Sequence, residues 1–514
     1  MTVEDSKAAQ VSSIIVRRHP EYHRMVNKWD FWLDSYLAPL DEYSIKYLFK
    51  NEKEGDDEFK QRCERAYREN HSKRVVDLIN TYLFKEDAVR KTEDKQLKNF
   101  IADADGRGHN LRQFFKGVSL FSSIFGRVYV VVDRKDPENY TGTYKDNLQS
   151  SVYCYLLHPQ DVLDIAFDDY GNVRWALVRE RVRDDEDPFT CSGEMRDRYR
   201  LWTVGKWYLW DDEGNETGSG NTGLDCVPIV PVNNEETLSD YYAPSLISDV
   251  SYLDKSIFNN YSRLDVIVGD QTFSQLIFPI EGALTTAVAD DQEMQKQMMA
   301  RAVNRILFYS ANSEARPEYI SPDASQAEFI LNMIQHQTRQ LYACLGLQNE
   351  GNGDTKDYKS GLSKSYDFDK LNKLLASKAD NLEQAEIKVF NIVKQWKVIT
   401  ADVEVDYPDE FDVKTLAQEI MLAQELSLLD ISQKFIKEVF KRVVAKALPK
   451  IPEEKLKEIL KEIEEKDYEA EMVKENVFDF DQQNNGTDKV ADKKKKGKVG
   501  GRLKQDQTKF DQAN

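Results

Sequence analysis

A chain of 514 residues is too long for one simple core, so roughly two to four structural units are expected. Its formal net charge of −19 and pI near 5.0 argue against a protein that grips nucleic acid through a broad basic face. Cys63, Cys154, Cys191, Cys226 and Cys344 are scattered and form no CxxC, which argues against a disulfide framework or a zinc site and for a reducing compartment. Residues 1–10 carry no signal-peptide core, and the most apolar strand, Val128–Val132, is too short to span a bilayer, so no membrane insertion is expected.

Residues 1–115 read as helical. Pro20 suits the first turn of a helix bearing Tyr22, Met25, Trp29, Trp32 and Tyr36, bulky enough to dock on a larger body. Residues 58–84 continue the pattern as one helix, and 99–122 supply another. At Gly126 the period changes to alternation. Val128–Val132 and Val152–Leu157 read as strands, 162–167 and 173–182 as a hairpin turned at 168–172, and 199–204 with 206–210 as a second hairpin turned at Gly205. An antiparallel β unit joined to helices makes the expected fold class α+β. Val227-Pro-Ile-Val-Pro-Val232 reads as an extended exit, since its prolines exclude helix.

A helix is expected from about Ala243 to 268, then a small mixed α/β insert over 270–323 with a short helix at 291–304 and strands at 305–309 and 318–320. A second helix, 324–347, follows the insert, so that the two flanking helices could lie side by side as a stalk. The polar stretch 348–361 cannot hold a core, and its glycines leave the backbone free. A long helix then runs from near Ser363 to Trp396, roughly 30 residues or about 45 Å. Two long helices joined by a polar tongue suggest a device for presenting that tongue. Beyond it come a strand at 402–407, helices at 414–428 and 431–444, with Asp430 as N-cap of the second, and a last helix opened by Pro452. From about Asp481 the chain loses apolar content, and Lys493–Lys496 marks a disordered basic tail.

Catalytic signatures are sparse. There is no GxxxxGK[ST], GxSxG or HExxH. Gly351-Asn-Gly-Asp-Thr-Lys356 is phosphate-friendly, but no apolar strand leads into it. His19 and His23 have the spacing of helical metal ligands, with Pro20 between them and no third ligand nearby; packing is the stronger reading. Asp168-Asp169 and Asp211-Asp212 sit at turn tips, where acids are ordinary. The Trp and Tyr residues of 199–210 read as a ligand platform or, more strongly, as alternating core positions. Lys493–Lys496 reads equally as a DNA contact and as a solvated tail. No cofactor or metal is expected.

Several short stretches, in this order, resemble the portal proteins of tailed bacteriophages. They are His19-Pro-Glu-Tyr22 before a Trp-rich helix, Ser123-Ile-Phe-Gly126 leading into Arg127-Val-Tyr-Val130, His158-Pro-Gln-Asp-Val162 before a hairpin turned at Asp169-Tyr-Gly-Asn172, Val227-Pro-Ile-Val-Pro231, Ser360-Gly-Leu-Ser363 and Ser427-Leu-Leu-Asp-Ile-Ser432. The likeness covers nearly the whole chain up to about residue 480. It implies a portal-type fold: a wing (1–241 with 363–412), a stem of two helices (242–272 and 324–347), a clip (273–323), a tunnel loop (348–362), a helical crown (413–480) and the tail 481–514.

The resemblance further implies a structural protein rather than an enzyme. Its copies would form a ring, usually of twelve, at a capsid vertex of the virion, assembled in the host cytoplasm. Double-stranded DNA would pass through that ring during packaging and ejection. The implied partners are further copies of the chain, the terminase large subunit, the major capsid protein, head-completion or adaptor proteins and scaffolding protein. Asn349, Asn352, Lys356, Tyr358 and Lys359 are the expected channel-facing residues, Lys356 and Lys359 making light phosphate contact; a plain solvent loop is the competing reading. Arg301 and Arg305 are the expected partner-docking residues of the clip, or else pair with acidic neighbours. A phage-associated DNA-processing enzyme and an intracellular oligomeric scaffold are the rival readings. An acidic bore agrees with the physics, since strong Lys/Arg contacts would release counterions and hold the DNA.

Overall fold

The computed structural model describes residues 14–52, 54–135, 143, 151–185, 188–272, 275–280, 306–310, 318–320, 324–347, 361–409, 411, 432–447 and 453–465. The chain divides into two compact units, Met1–Phe411 and Asp412–Asn514.

The first unit opens with α1 (Tyr22–Leu37), whose Tyr22, Met25, Trp29, Trp32 and Tyr36 are all buried along one stripe. Helix α2 (Leu40–Tyr47) follows Pro39. The single helix expected at 58–84 is instead two, α3 (Asp56–Arg65) and α4 (His71–Leu83). The break has a physical cause: Arg68 turns inward to Asp254, and Asn70 caps α4 by accepting the Lys73 N–H. After β1 (Val89–Lys91), the helix expected at 99–122 is likewise split into α5 (Lys95–Ala102) and α6 (Leu111–Phe125). Asp94 caps the first, and a reciprocal Asn110–Gln113 box caps the second.

Helix α6 ends at Gly126, with φ 84°. A Cβ there would sit 2.0 Å from the Ala243 carbonyl oxygen, so both the backbone angle and the close approach require glycine. The strands that follow make two antiparallel sheets. In one, β2 (Arg127–Lys135) lies between β3 (Ser151–Leu157) and, further along the chain, β9 (Ile229–Asn233). Val128 to Val132 are buried throughout, as the central strand of a covered sheet should be. Pro231 opposes Tyr129 on an edge strand, where its missing N–H is tolerated.

The other sheet runs in simple order through β4 (Val162–Phe167), β5 (Val173–Arg183), β6 (Met195–Thr203), β7 (Lys206–Trp210) and β8 (Glu216–Asn221). Both expected hairpin turns are present, at 168–172 and at Gly205. Strand β6 starts earlier than its alternation suggests, because Met195 pairs with Arg183 at the far end of β5. Thus Val227–Val232, read as a mere exit, supplies a strand, and the β region is two sheets rather than one.

Helix α7 (Ser248–Thr272) starts later than the expected Ala243, since the Leu246 N–H is engaged by the Ser123 carbonyl and Ser245 by Ile124. Beyond it, β10 (Gln275–Ile280) pairs parallel to β11 (Ile306–Ser310) and antiparallel to β12 (Glu318–Ile320). β10 was not expected; Pro279 disguises it. The short helix expected at 291–304 lies outside the described residues.

Next come α8 (Ala324–Cys344) and the 37-residue α9 (Gly361–Lys397), then β13 (Glu404–Asp406), which pairs with β1. α9 buries Leu371, Leu375, Leu382, Ala385, Val389 and Trp396, the stripe that its sequence announces.

In the second unit, α10 (Gln433–Ala447) and α11 (Glu453–Glu465) pack together, Lys441 bridging to Glu464 at 2.8 Å. The helix expected at 414–428, its neighbour's cap Asp430, and the tail lie outside the described residues. Taken whole, the described fold is α+β, with mostly antiparallel sheets.

Candidate functional site

The stretch of interest joins α8 to α9, and the residues on both sides of it are described. α7 and α8 lie side by side. Asn260 donates to Gln337 at 3.0 Å, and Gln337 donates to Ser256 at 3.0 Å, a polar rung within an apolar seam that includes Ile257, Ile334 and Leu341.

A buried charge fixes the pair at its base. Arg68 and Asp254 are 4% and 1% exposed and meet at 2.6 Å. The Asp254 carboxylate also accepts the Ser72 hydroxyl at 2.8 Å and lies within reach of the His71 and Ser72 N–H groups. The Arg68 guanidinium stacks 3.6 Å from the centre of the Tyr43 ring. His71 Nδ1 is 3.1 Å from the Tyr342 hydroxyl of α8. Burial lowers the His71 pKa, against the raising effect of Asp254 and Glu69.

Helix α8 leaves through a glycine-terminated turn. Gly346 has φ 72°, and the Leu347 N–H returns to the Tyr342 carbonyl at 2.9 Å. Leu347 is buried, worth about 1.5–3 kcal/mol as a hydrophobic anchor. The chain therefore enters residue 348 from a fixed point.

Helix α9 is held by two further polar contacts. Lys378, 2% exposed, donates to Ser123 Oγ and Asn234 Oδ1, each at 2.7 Å, with Ser122 Oγ at 3.5 Å. Glu386 is fully buried and accepts from Arg90 at 2.9 Å and from Tyr407 at 2.8 Å, tying α9 to β1 and to the end of β13. Further along, Trp396 donates its indole N–H to the Val132 carbonyl at 3.2 Å.

Asn349, Asn352, Lys356, Tyr358 and Lys359 lie outside the described residues, as do Arg301, Arg305 and the glycine-rich run 351–356. Pattern reading missed Arg68, Asp254, Lys378 and Glu386. Each has its partner far away in sequence. The one available signal is a charged residue on an otherwise apolar stripe, as Lys378 is between Leu375 and Leu382.

The weighed alternatives have structural occupations. His19 stacks on Tyr241 with ring centres 3.9 Å apart, and its Nδ1 accepts the Glu21 N–H. The Asp168 carboxylate accepts from the Tyr170 and Asn172 N–H groups, and Asp211 from Asn215, which are turn-forming bonds. Hydrogen bonds from Asn172 hold the Asp168 pKa below its ordinary value. Trp202 and Trp210 are buried, so the aromatic run 199–210 serves the sheet's core. Among the described residues, no helix is long and apolar enough to cross a membrane.

Comparison with curated proteins finds no match. Solved structures similar to the chain include one from the neck of the native gene transfer agent (GTA) particle with C12 symmetry, at 12% identity and TM-score 0.39, covering 72% of this chain and 88% of that one. Another is from the virion of the native GTA particle, at 10% identity and TM-score 0.36, covering 69% and 83%. The family described as phage portal protein, SPP1 Gp6-like, matches residues 40–469. The chain belongs to that portal protein family.

Proposed function

We propose that copies of this chain close into a ring of twelve at a capsid vertex and conduct double-stranded DNA during packaging and ejection. The observation that carries this reading is the family match over residues 40–469. The geometry is in keeping with it: two anchored helices, α8 and α9, flank residues 348–360, so that side chains there can be presented from a rigid base.

In this reading, residues 1–241 with 363–412 are the wing, 242–272 and 324–347 the stem, 273–323 the clip, 348–362 the tunnel loop and 413–480 the crown. Asn349, Asn352, Lys356, Tyr358 and Lys359 line the bore, and the two lysines touch phosphates lightly. Arg301 and Arg305 belong to the surface that receives the terminase large subunit during packaging and head-completion proteins afterwards. Capsid and scaffolding proteins surround the ring. The role is structural, and the motor supplies the energy. A net charge of −19 per chain suits a conduit that must release what it passes.

Native mass tests the ring. A 59.6 kDa chain should run at roughly twelve times that mass, whereas a stable monomer at micromolar concentration would sink the proposal. Deleting residues 349–359 should leave the ring assembled and abolish DNA retention in filled heads. Unchanged phage yield would remove the loop's assigned role.

A further inference from the structure

The contact that the conduit reading leaves unused is the Lys378 cage. It joins three parts of the fold at one atom. Ser122 and Ser123 belong to the last turn of α6, Asn234 follows β9, and Lys378 itself sits on α9. The same place roots α7. The Ser123 carbonyl accepts the Leu246 N–H at 3.0 Å and the Ser245 hydroxyl at 3.2 Å, and Asn234 N–H donates to the Gly126 carbonyl at 2.7 Å. Asn381, one turn along α9, donates to the Asn234 carbonyl.

Among the described residues, every group within hydrogen-bond reach of the amine is neutral. The α6 side offers Ser122 and Ser123, and the segment after β9 offers Asn234. Among the described residues, the one charged group acting on the amine is Glu235, itself exposed and not among its hydrogen-bond partners. A buried amine with no carboxylate partner pays for its charge in lost hydration, whereas the same amine in water binds a proton freely.

We propose that the Lys378 cage is a proton-linked latch: lifting α9 from the junction exposes the amine, which takes up a proton from solvent, so that the latch tightens as pH rises and loosens as pH falls toward neutrality. Burial pushes the Lys378 pKa down to about 7, which sets where this linkage begins. Only one proton moves, from solvent to the amine nitrogen, and no bond between heavy atoms changes. Because α9 begins where residues 348–360 end, the latch would set how firmly that loop's far anchor is held; that consequence rests on the conduit reading, but the latch does not.

Native-state hydrogen exchange on the purified full chain tests it. After correction for intrinsic rates, protection of the Leu246 and Asn234 amides should rise by up to about tenfold per pH unit between pH 7 and 9. The Cys154 amide, bonded to the Ala104 carbonyl away from the cage, serves as the internal reference and should not follow. In Lys378→Met the excess slope should vanish. Equal slopes at all three amides of the wild-type protein would overturn the latch, and this comparison holds even if the variant fails to fold. A flat result leaves the conduit reading standing, and absence of a ring leaves the latch measurable.

Discussion

Two basic side chains are buried against the long helices, Arg68 beneath α7 and α8 and Lys378 midway along α9. Arg68 meets a carboxylate that is itself buried and supplied with further donors, and its guanidinium lies over the Tyr43 ring. Lys378 meets only neutral oxygens. A charge compensated at contact distance by a buried counter-charge fixes geometry. An amine met by neutral oxygens alone gives up its proton more readily when buried than in water, so the contact it makes is linked to pH. The portal chain thus has one base that is a permanent weld and one that is linked to solvent protons.

The largest effect should come from breaking the weld. Asp254→Ala leaves a guanidinium buried without its counter-charge and strips the acceptor from Ser72. A loss of about 3–5 kcal/mol in denaturant unfolding is expected. Replacing Arg68 with Leu in the same chain should recover part of that loss, since the stranded charge is then gone. A loss under about 1 kcal/mol for Asp254→Ala alone would mean that Arg68 can swing to solvent, and the contrast with Lys378 would fail.

Next in size is Gly126→Ala, which tests the backbone around the Lys378 cage rather than the cage itself. The added methyl would meet the Ala243 carbonyl and carbon at 2.0 and 2.7 Å, in a region of φ that L side chains rarely adopt. Since the obstacle is backbone, relief requires the α6 end and the α7 root to part. The expected cost is about 2 kcal/mol or more, read as a fall in Tm. An unchanged Tm would show that this junction is loosely packed.

Lys378→Met should cost less, about 1–3 kcal/mol at pH 7 for the unsatisfied Asn234 and Ser123 oxygens. It also removes the burial penalty of the amine. The distinguishing feature is the pH trend. The folded pKa lies near 7 and the ordinary value is 10.5, so the folded wild type releases a proton that the unfolded chain keeps. Its stability therefore rises through that window and is fully present above 10.5. The deficit of the variant should grow from pH 7 to pH 9 in urea unfolding. A constant deficit would make Lys378 an ordinary structural donor.

These contacts also mark the limit of what the sequence could announce. The stripe on α9, the aromatic face of α1 and the hairpin turns at 168–172 and Gly205 were legible because each is local and periodic. The breaks at 66–70 and 103–110 were not, since neither contains a proline to mark it. It takes the distant Asp254 to draw Arg68 out of the helix. β13 lies within the strand expected at 402–407, whereas the three-residue β1 becomes a strand only by meeting it. At the site, the helices flanking residues 348–360 were legible, while the groups that anchor them were not. Lys378 and Glu386 acquire their roles only when the α6 end, Asn234, Arg90 and Tyr407 are brought to them.

The smallest expected effect sharpens the comparison from the other side. His71 adjoins the Arg68–Asp254 weld and touches Tyr342 of α8, so it tests whether anything at that base responds to protons. Burial is the main influence on its ring and lowers its pKa below 6.5; Asp254 and Glu69 oppose this, while Arg74 and Arg68 add to it. A folded state that binds the proton less readily than the unfolded chain loses stability as pH falls below 6.5. One group contributes at most about 1.4 kcal/mol per pH unit. His71→Gln keeps a polar group near Tyr342 without that titration, so its stability between pH 5 and 7 should fall less steeply than that of the wild type. At pH 8 the two should differ little, whereas the deficit of Lys378→Met is growing there. If the slopes below pH 6.5 coincide, His71 is protonated as easily inside the fold as outside it, and the α7–α8 base is insensitive to acid as well as to base.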